Sequence, residues 1–161
     1  MTQVQRIGHS DVTGRELFSL ALPDFGSLPD LIVLPSRNFI AFLAADAANV
    51  DAVVLAEFSR RLLRAGCVCF CAWGTDCERV HDLFDGECFS IEPVIMTTWH
   101  PRDSLDDALW FFVFTAFPDD AYGATCQSGL AVSIGRPDWD AHIRERLADL
   151  DTLTGDVVDD S

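Results

Sequence analysis

The sequence contains no lysine, and all eleven of its basic side chains are arginine. A covalent Schiff base needs a lysine amine, and the phosphate-binding P-loop motif also contains a lysine. Both kinds of site are therefore excluded. A magnesium-dependent receiver domain also needs a lysine, so it is excluded although Asp46 and Asp76 follow predicted strands.

Several motifs of thiol and serine enzymes are missing as well. None of the six cysteines begins a CxxC redox motif or a Cys-x5-Arg phosphate loop, and no GxSxG nucleophile elbow occurs. The N-terminus lacks the basic and then apolar pattern of a signal peptide, and every apolar run is too short to span a bilayer. These absences predict a cytoplasmic protein.

Acidic residues outnumber basic ones by 26 to 11, which gives a formal net charge of −15 at pH 7. A field of this sign repels the phosphates of nucleic acids and the anionic headgroups of membranes. We therefore expect neither nucleic acid nor membrane as a partner. A protein partner or a small molecule remains.

The 161 residues, 49% of them hydrophobic, fit one domain with a substantial core. We predict a single α/β domain over residues 1–150, followed by an acidic flexible tail over residues 151–161. Cys67, Cys69 and Cys71 alternate along one predicted strand, so their thiols share a face, as reduced core cysteines do. Disulfides are not expected.

Hydrophobic periodicity predicts alternating strands and helices after a poorly patterned region from Met1 to Pro29. The predicted strands are Leu31 to Leu34, Phe39 to Ala45, Cys67 to Ala72, Pro93 to Thr98 and Leu130 to Ile134. The predicted helices are Val50 to Arg64, Thr75 to Phe84, Leu105 to about Phe117, and Pro137 or Asp138 to Leu150. This alternation predicts a three-layer sandwich, in which a mostly parallel sheet of four to five strands carries helices on both faces.

The loops after parallel strands meet at one edge of such a sheet, where ligands usually bind. These loops contain three of the four tryptophans, together with His100 and Arg136. The cluster predicts an aromatic-lined pocket or an interface, although the tryptophans could equally just cap the core. The candidate ligand-binding residues are Trp73, Asp76, Trp99, Arg136 and Trp139.

Cys77 lies in the first turn of a predicted helix, where the backbone amides and the helix dipole favour a thiolate. His81 follows one turn later on the same face. Cys77 could therefore be the nucleophile of a hydrolase or transferase, with His81 or His100 as the base. Against this, the flanking acids Asp76 and Glu78 would raise the pKa of the thiol. Because the chain is acidic with an aromatic rim and lacks every specific catalytic motif, a binding or protein-interaction module without catalytic activity is the leading hypothesis.

Cys77 and His81 also have the i, i+4 spacing of a zinc-binding pair, with His100 and Cys88 as the nearest further ligands. A second closely spaced pair is lacking, so we predict no metal site and leave the cofactor open. A zinc-stabilised domain remains a third hypothesis.

The helix predicted from Leu105 is apolar nearly all round, because Trp110 to Phe114 are consecutive hydrophobic residues. A helix on the surface of a monomer needs a polar face. We therefore expect either the sheet and the N-terminal segment to bury this helix, or a homodimer to cover it.

The segments LLRAGCVCFCAWGTDCERVHDLFD, TTWH and ALWFF resemble a small bacterial domain family of uncharacterised function. The resemblance covers Phe39 to Asp140 and is most specific in CAWG and the following DCERVHD. It implies a bacterial source and a compact α/β fold. Since the family has no assigned activity, the resemblance assigns no catalytic residue here.

Overall fold

The computed structural model describes residues 3–159, which form six strands and five α-helices. The strands are β1 (Gln5–His9), β2 (Glu16–Leu22), β3 (Asn38–Ala44), β4 (Cys67–Trp73), β5 (Met96–His100) and β6 (Cys126–Ile134). The helices are α1 (Ala52–Ala65), α2 (Cys77–Cys88), α3 (Leu105–Phe114), α4 (Pro137–Ala148) and α5 (Leu150–Asp159). The order of elements alternates as predicted from β3 onwards.

The six strands form one sheet in the order β1-β2-β6-β3-β4-β5. All neighbouring pairs are parallel except β1 and β2, which are antiparallel. The prediction of a mostly parallel α/β sheet is confirmed, but the strand number is six rather than four to five. The two additional strands, β1 and β2, lie in the N-terminal region, where the sequence shows no clear hydrophobic periodicity.

The helices cover both faces of the sheet. Phe70 of β4 stacks on Phe84 of α2 with ring centroids 4.1 Å apart. Phe42 of β3 contacts Phe112 of α3 at 5.6 Å and is the register partner of Cys71, the residue after Phe70. Because successive strand residues face opposite sides, α2 and α3 lie on opposite faces. α1 packs with α2, and α5 packs with α3 and α4, which completes three layers.

The predicted strand from Leu31 to Leu34 is wrong, since this segment forms no strand. Both edges of β3 are already paired, one with β4 and the other with β6. The segment is therefore a connection to β3, and Leu31 and Val33 remain 76% and 73% exposed. A short apolar run can thus resemble a strand although the strand that follows it, β3, has no free edge to pair with it.

The acidic segment after residue 150 forms α5 up to Asp159, whereas the sequence predicted a flexible tail; residues 160–161 lie outside the described part of the chain. Leu153 of α5 is fully buried, and Leu150 and Val157 pack against the core. Their helical spacing was hidden among acidic residues. Because α5 packs on α3, it supplies the cover that an almost wholly apolar α3 requires.

An ion-pair cluster joins the three helices of this layer. Asp106, in the first turn of α3, accepts hydrogen bonds from Arg146 of α4 at 2.9 and 3.2 Å. His142 of α4 approaches the same carboxylate at 2.6 Å, and Arg146 also pairs with Asp156 of α5 at 2.8 Å. Asp106 thus connects α3 to both later helices.

We expect Asp106→Asn to lower the free energy of unfolding by about 2 kcal/mol, because a partly buried, charge-assisted network loses its central anion. Burial disfavours the charged carboxylate, but the hydrogen bonds from Arg146 and His142 outweigh this and lower its pKa. A lowered folded pKa gives stability that is present above the unfolded pKa and lost as pH falls through the folded value. Urea unfolding at pH 7 and then at decreasing acidic pH measures both effects.

Asp107→Asn is the matched control. Asp107 occupies the same first turn of α3 but is exposed, so this substitution removes one charge without touching the network. We expect it to change the free energy of unfolding by less than about 0.5 kcal/mol. Equal losses in the two variants would show that the network contributes nothing beyond the helix dipole.

Candidate functional site

The carboxyl ends of β2, β6 and β3 meet at one edge of the sheet, and the chain leaves them in different directions. β2 continues into a short 3₁₀ helix, Phe25–Ser27, whose Phe25 contacts Phe58 of α1 with centroids 5.1 Å apart. The exits from β2 and β3 therefore lie on the α1 face. β6 lies between these strands and exits into α4 on the opposite face. Such a divergence opens a crevice that α/β proteins commonly use for ligands.

A cleft of about 620 Å³ occupies this crevice and is called the switch-point cleft below. Its walls are largely apolar and come from the 3₁₀ helix, α1 and β6. The apolar lining residues are Pro23, Phe25, Val50, Val54 and Ile134, and the charged ones are Asp24, Asp46 and Arg136. Sequence reasoning missed the contributions of Phe25, Val54 and Asp24, because the strand that places Phe25 and Asp24 was not predicted.

The turn after β6 positions Arg136. Gly135 adopts φ +68°, a left-handed conformation that favours glycine, and its N–H donates to the carbonyl of Leu22 at 2.7 Å. This bond joins the ends of β2 and β6. Arg136 therefore leaves the sheet directly at the mouth of the cleft.

Arg136 bridges the cleft and a pair of tryptophans. Its guanidinium lies 4.1 Å from the ring centroid of Trp139, and Trp139 meets Trp73 edge to face at 5.1 Å. Three of the predicted ligand-binding residues are therefore adjacent in the fold. Offset aromatic pairs and stacked arginines give rigid surfaces that suit recognition.

The charge of Arg136 is already matched within the chain. Its Nε and Nη2 donate to the two carboxylate oxygens of Asp138 at 2.9 and 2.7 Å. This bidentate pair raises the pKa of Arg136 and lowers the pKa of Asp138. The cation at the cleft mouth is therefore neutralised locally. Among residues 3–159 no ion pair engages Asp24 or Asp46, although the charge of Asp46 adds to the rise in the pKa of Arg136.

His100 belongs to a partly buried hydrogen-bond network beneath Trp73. The indole N–H of Trp73 donates to the backbone carbonyl of Asp103 at 2.8 Å, and the carboxylate of Asp103 lies 2.8 Å from Nδ1 of His100. Nε2 of His100 lies 2.9 Å from the hydroxyl of Thr98. His100 is only 8% exposed, so it supports the rim from below and does not line the cleft.

Trp99 lies away from the other two tryptophans. It follows Thr98 on β5 and so projects to the opposite face, where its ring contacts His81 of α2 with centroids 4.4 Å apart. Trp99 is 42% exposed on the edge strand of the sheet. Loop proximity in the sequence placed it on the rim, but strand alternation separates it from the cleft.

Cys77 is buried at the start of α2, and its sulfur accepts a hydrogen bond from the backbone N–H of His100. Burial raises the pKa of this thiol. The nitrogens of His81 lie next to Asp82 and Thr97, at 2.9 and 3.0 Å. In the described part of the chain, no side-chain hydrogen bond joins Cys77 to His81 or His100, so the geometry offers no support for the predicted nucleophile and base.

The thiol that approaches His100 is Cys71. Hydrogen bonds from Cys69, His100 and Thr98 lower the pKa of the Cys71 thiol against the effect of burial. Burial alone would lower the pKa of His100, but its hydrogen bonds with Cys71 and Asp103 outweigh this and raise it. Cys71 is 0% exposed and His100 is 8% exposed, so the thiol and the imidazole lie beneath the surface, out of reach of a substrate, and only Asp103 is exposed.

Asp76 lies apart from the cleft, at the N-terminus of α2. Its backbone has φ +64°, which aspartate tolerates better than most residues, and its carboxylate pairs with Arg79 at 3.5 Å. The hypothesis of a zinc-stabilised domain gains no support from the geometry: across residues 3–159, no group of three or more His, Cys, Asp or Glu side chains is placed to hold a metal ion.

None of the helices in residues 3–159 is long and apolar enough to cross a membrane.

Comparisons with known proteins identify a family but no activity. No curated protein and no solved structure matches the chain. A family model described as a domain of unknown function matches residues 17–150, which is most of the chain and all of the switch-point cleft. The chain therefore belongs to the family of domains of unknown function designated DUF7684.

Proposed function

We propose that this chain is a binding domain of the bacterial cytoplasm, without catalytic activity, that holds a small molecule in the switch-point cleft. The observation that carries the proposal is the cleft itself, of about 620 Å³, at the divergence of the exits from β2, β3 and β6. Ligand pockets in proteins usually measure about 300 to 1,000 Å³ and combine apolar walls with a few polar groups. The cleft has both properties.

The cleft is concave, so a small molecule is a better-fitting occupant than the flat surface of a partner protein. Val50, just before α1, and Val54 of α1 leave apolar surface open to a small molecule, and Arg136 and Trp139 give the mouth of the cleft a rigid border. A cytoplasmic location is supported by six free, buried cysteines, since reducing compartments preserve thiols. A thiol-dependent enzyme has less support, because the pKa of Cys77 is raised by burial and Cys71 is fully enclosed.

Ligand-observed NMR with the full chain tests the proposal. The probes form a fragment library of single-ring compounds that carry a cationic, an anionic or a neutral group. Val54→Trp fills the cleft, and Val54 is 40% exposed, so the larger side chain is compatible with folding. Val53→Trp is the matched control, because Val53 is 71% exposed on the same helix and does not line the cleft.

We expect fragments that bind the wild-type chain and Val53→Trp but lose at least tenfold in affinity for Val54→Trp. Thermal unfolding confirms that both variants are folded. The proposal is overturned if no fragment binds, or if Val54→Trp binds the same fragments as tightly as wild type.

A further inference from the structure

We propose that the ligand of the switch-point cleft is a small organic cation, with an apolar body and an amine or ammonium group. This inference rests on the proposed binding function and specifies its ligand class. The apolar body packs on Val50 and Val54, and the cationic group lies at Asp46. The charges that line the cleft, and the partners that those charges already have, point to this ligand class.

The guanidinium of Arg136 is poorly placed to attract an anion. The edge formed by Nε and Nη2 is occupied by the carboxylate of Asp138, at 2.9 and 2.7 Å, and the face of the guanidinium lies on the ring of Trp139. An anionic ligand could use only the remaining N–H donors, those of Nη1 and the second N–H of Nη2. The negative charge of Asp138, held in the same turn, already offsets the charge of the guanidinium at those donors.

Asp46 is in the opposite situation. Its carboxylate accepts a hydrogen bond from the backbone N–H of Ala48 at 3.1 Å, in the turn that follows β3. A carboxylate has about four acceptor positions, so it retains capacity for a donor in the cleft. Asp24, on the facing wall, accepts the hydroxyl of Ser27 at 2.8 Å. The cleft therefore presents two carboxylates that form no direct ion pair. Arg136 acts on Asp46 only through its longer-range charge, which it already shares with Asp138.

The net charge of the whole protein also favours a cationic ligand. The formal net charge of the whole chain is −15, which attracts cations and repels anions at long range. The exposed carboxylate of Asp46 is open to an ammonium group, while the apolar walls beside it offer a surface for the body of the ligand. The apolar walls and the carboxylates thus favour the same amphipathic ligand by charge complementarity.

Isothermal titration calorimetry with three probes of matched shape tests the ligand class. The probes are 2-phenylethylammonium, 3-phenylpropionamide and 3-phenylpropionate, which differ mainly in charge. Asp46→Asn removes the proposed partner of the ammonium group. Asp107→Asn gives the same net charge but lies on α3, outside the cleft, so it reports the long-range field alone.

We expect 2-phenylethylammonium to bind at least tenfold more tightly than 3-phenylpropionate. Asp46→Asn should weaken the ammonium probe about tenfold, which corresponds to one charge-assisted contact, while Asp107→Asn should change its affinity less than twofold. Raising sodium chloride should weaken the ammonium probe and leave the amide unchanged.

The ligand class is wrong if the amide or the carboxylate binds as tightly as the ammonium probe, or if Asp46→Asn leaves ammonium binding unchanged. In those cases binding that is blocked by Val54→Trp still supports the cleft as a binding site. Failure of all three probes also overturns the ligand class, and the wider fragment library then decides separately whether the cleft binds anything.

Discussion

Replacing Gly74 with alanine is expected to destabilise the fold by about 3 kcal/mol or more, the largest effect of any single methyl group near the site. Gly74 follows β4 with φ +114°, where side chains are strained. A Cβ there would lie 2.0 Å from the carbonyl oxygen of Ala45, a backbone atom. The N–H of Ala45 also donates to the carbonyl of Trp73 at 3.2 Å, so the two loops cannot separate without losing a bond.

This substitution should also disturb the cleft, because Asp46 follows Ala45 directly. Urea unfolding measures the loss of stability. Gly86→Ala is the control: Gly86 lies inside α2, and an added Cβ would have no heavy atom within 4 Å. Alanine there should raise the free energy of unfolding by about 0.5 to 1 kcal/mol, because glycine is a poor helix former. A Gly74→Ala loss below about 1 kcal/mol would mean that the loops adjust freely.

Phe70→Ala is expected to lower the free energy of unfolding by about 3 to 5 kcal/mol. Phe70 is 0% exposed on β4, and its ring stacks on Phe84 at 4.1 Å with an interplanar angle of 7°. Alanine would leave a large void between the sheet and α2. Because a buried void loses both apolar transfer energy and packing contacts, the rest of the core can recover only part of the loss.

Chemical denaturation of purified protein checks this value, with Phe89→Ala as the control. Phe89 is 81% exposed at the end of α2, and its replacement should change stability by less than about 0.5 kcal/mol. If Phe70→Ala does not fold in water, Phe70→Leu retains most of the apolar volume and should show a smaller loss in the same direction. Equal losses for Phe70→Ala and Phe89→Ala would contradict the assignment of this core.

For Cys77 and His81, the spacing in the sequence predicts a shared helix face but not the partners of the two side chains. Cys77 and His81 are one helical turn apart, and the spacing places both on one face of α2, which the structure shows to be the buried face. The spacing does not show that His81 turns to Thr97 on β5, or that Cys77 meets a backbone N–H. The contact between Cys71 and His100 was also not foreseen, although the alternation of Cys69 and Cys71 signals a shared face.

The N-terminal region shows a different limit. β2 carries the sequence ELFSLAL and pairs with β6, which is more than one hundred residues away along the chain. Neither the hydrophobic pattern of β2 nor its flanking residues distinguish this strand from a loop. The strand is stabilised by pairing with β1, which is antiparallel, and with β6, which is parallel, and this pairing is not visible in the local sequence. Without β2, the cleft wall formed by Asp24 and Phe25 could not be predicted.

Local sequence determined the strands β3, β4 and β6, the helices α1 to α4, the mostly parallel sheet and the acidic charge. These features depend on periodicity, capping and composition, which act over a few residues. Only the tertiary structure decided that β6 inserts between β2 and β3, that α5 covers α3, and that Arg136, Asp46 and Phe25 border one cleft. The physical reason is that strand order and site geometry depend on contacts between segments that are distant in the sequence. A local sequence pattern does not report the free energies of such contacts.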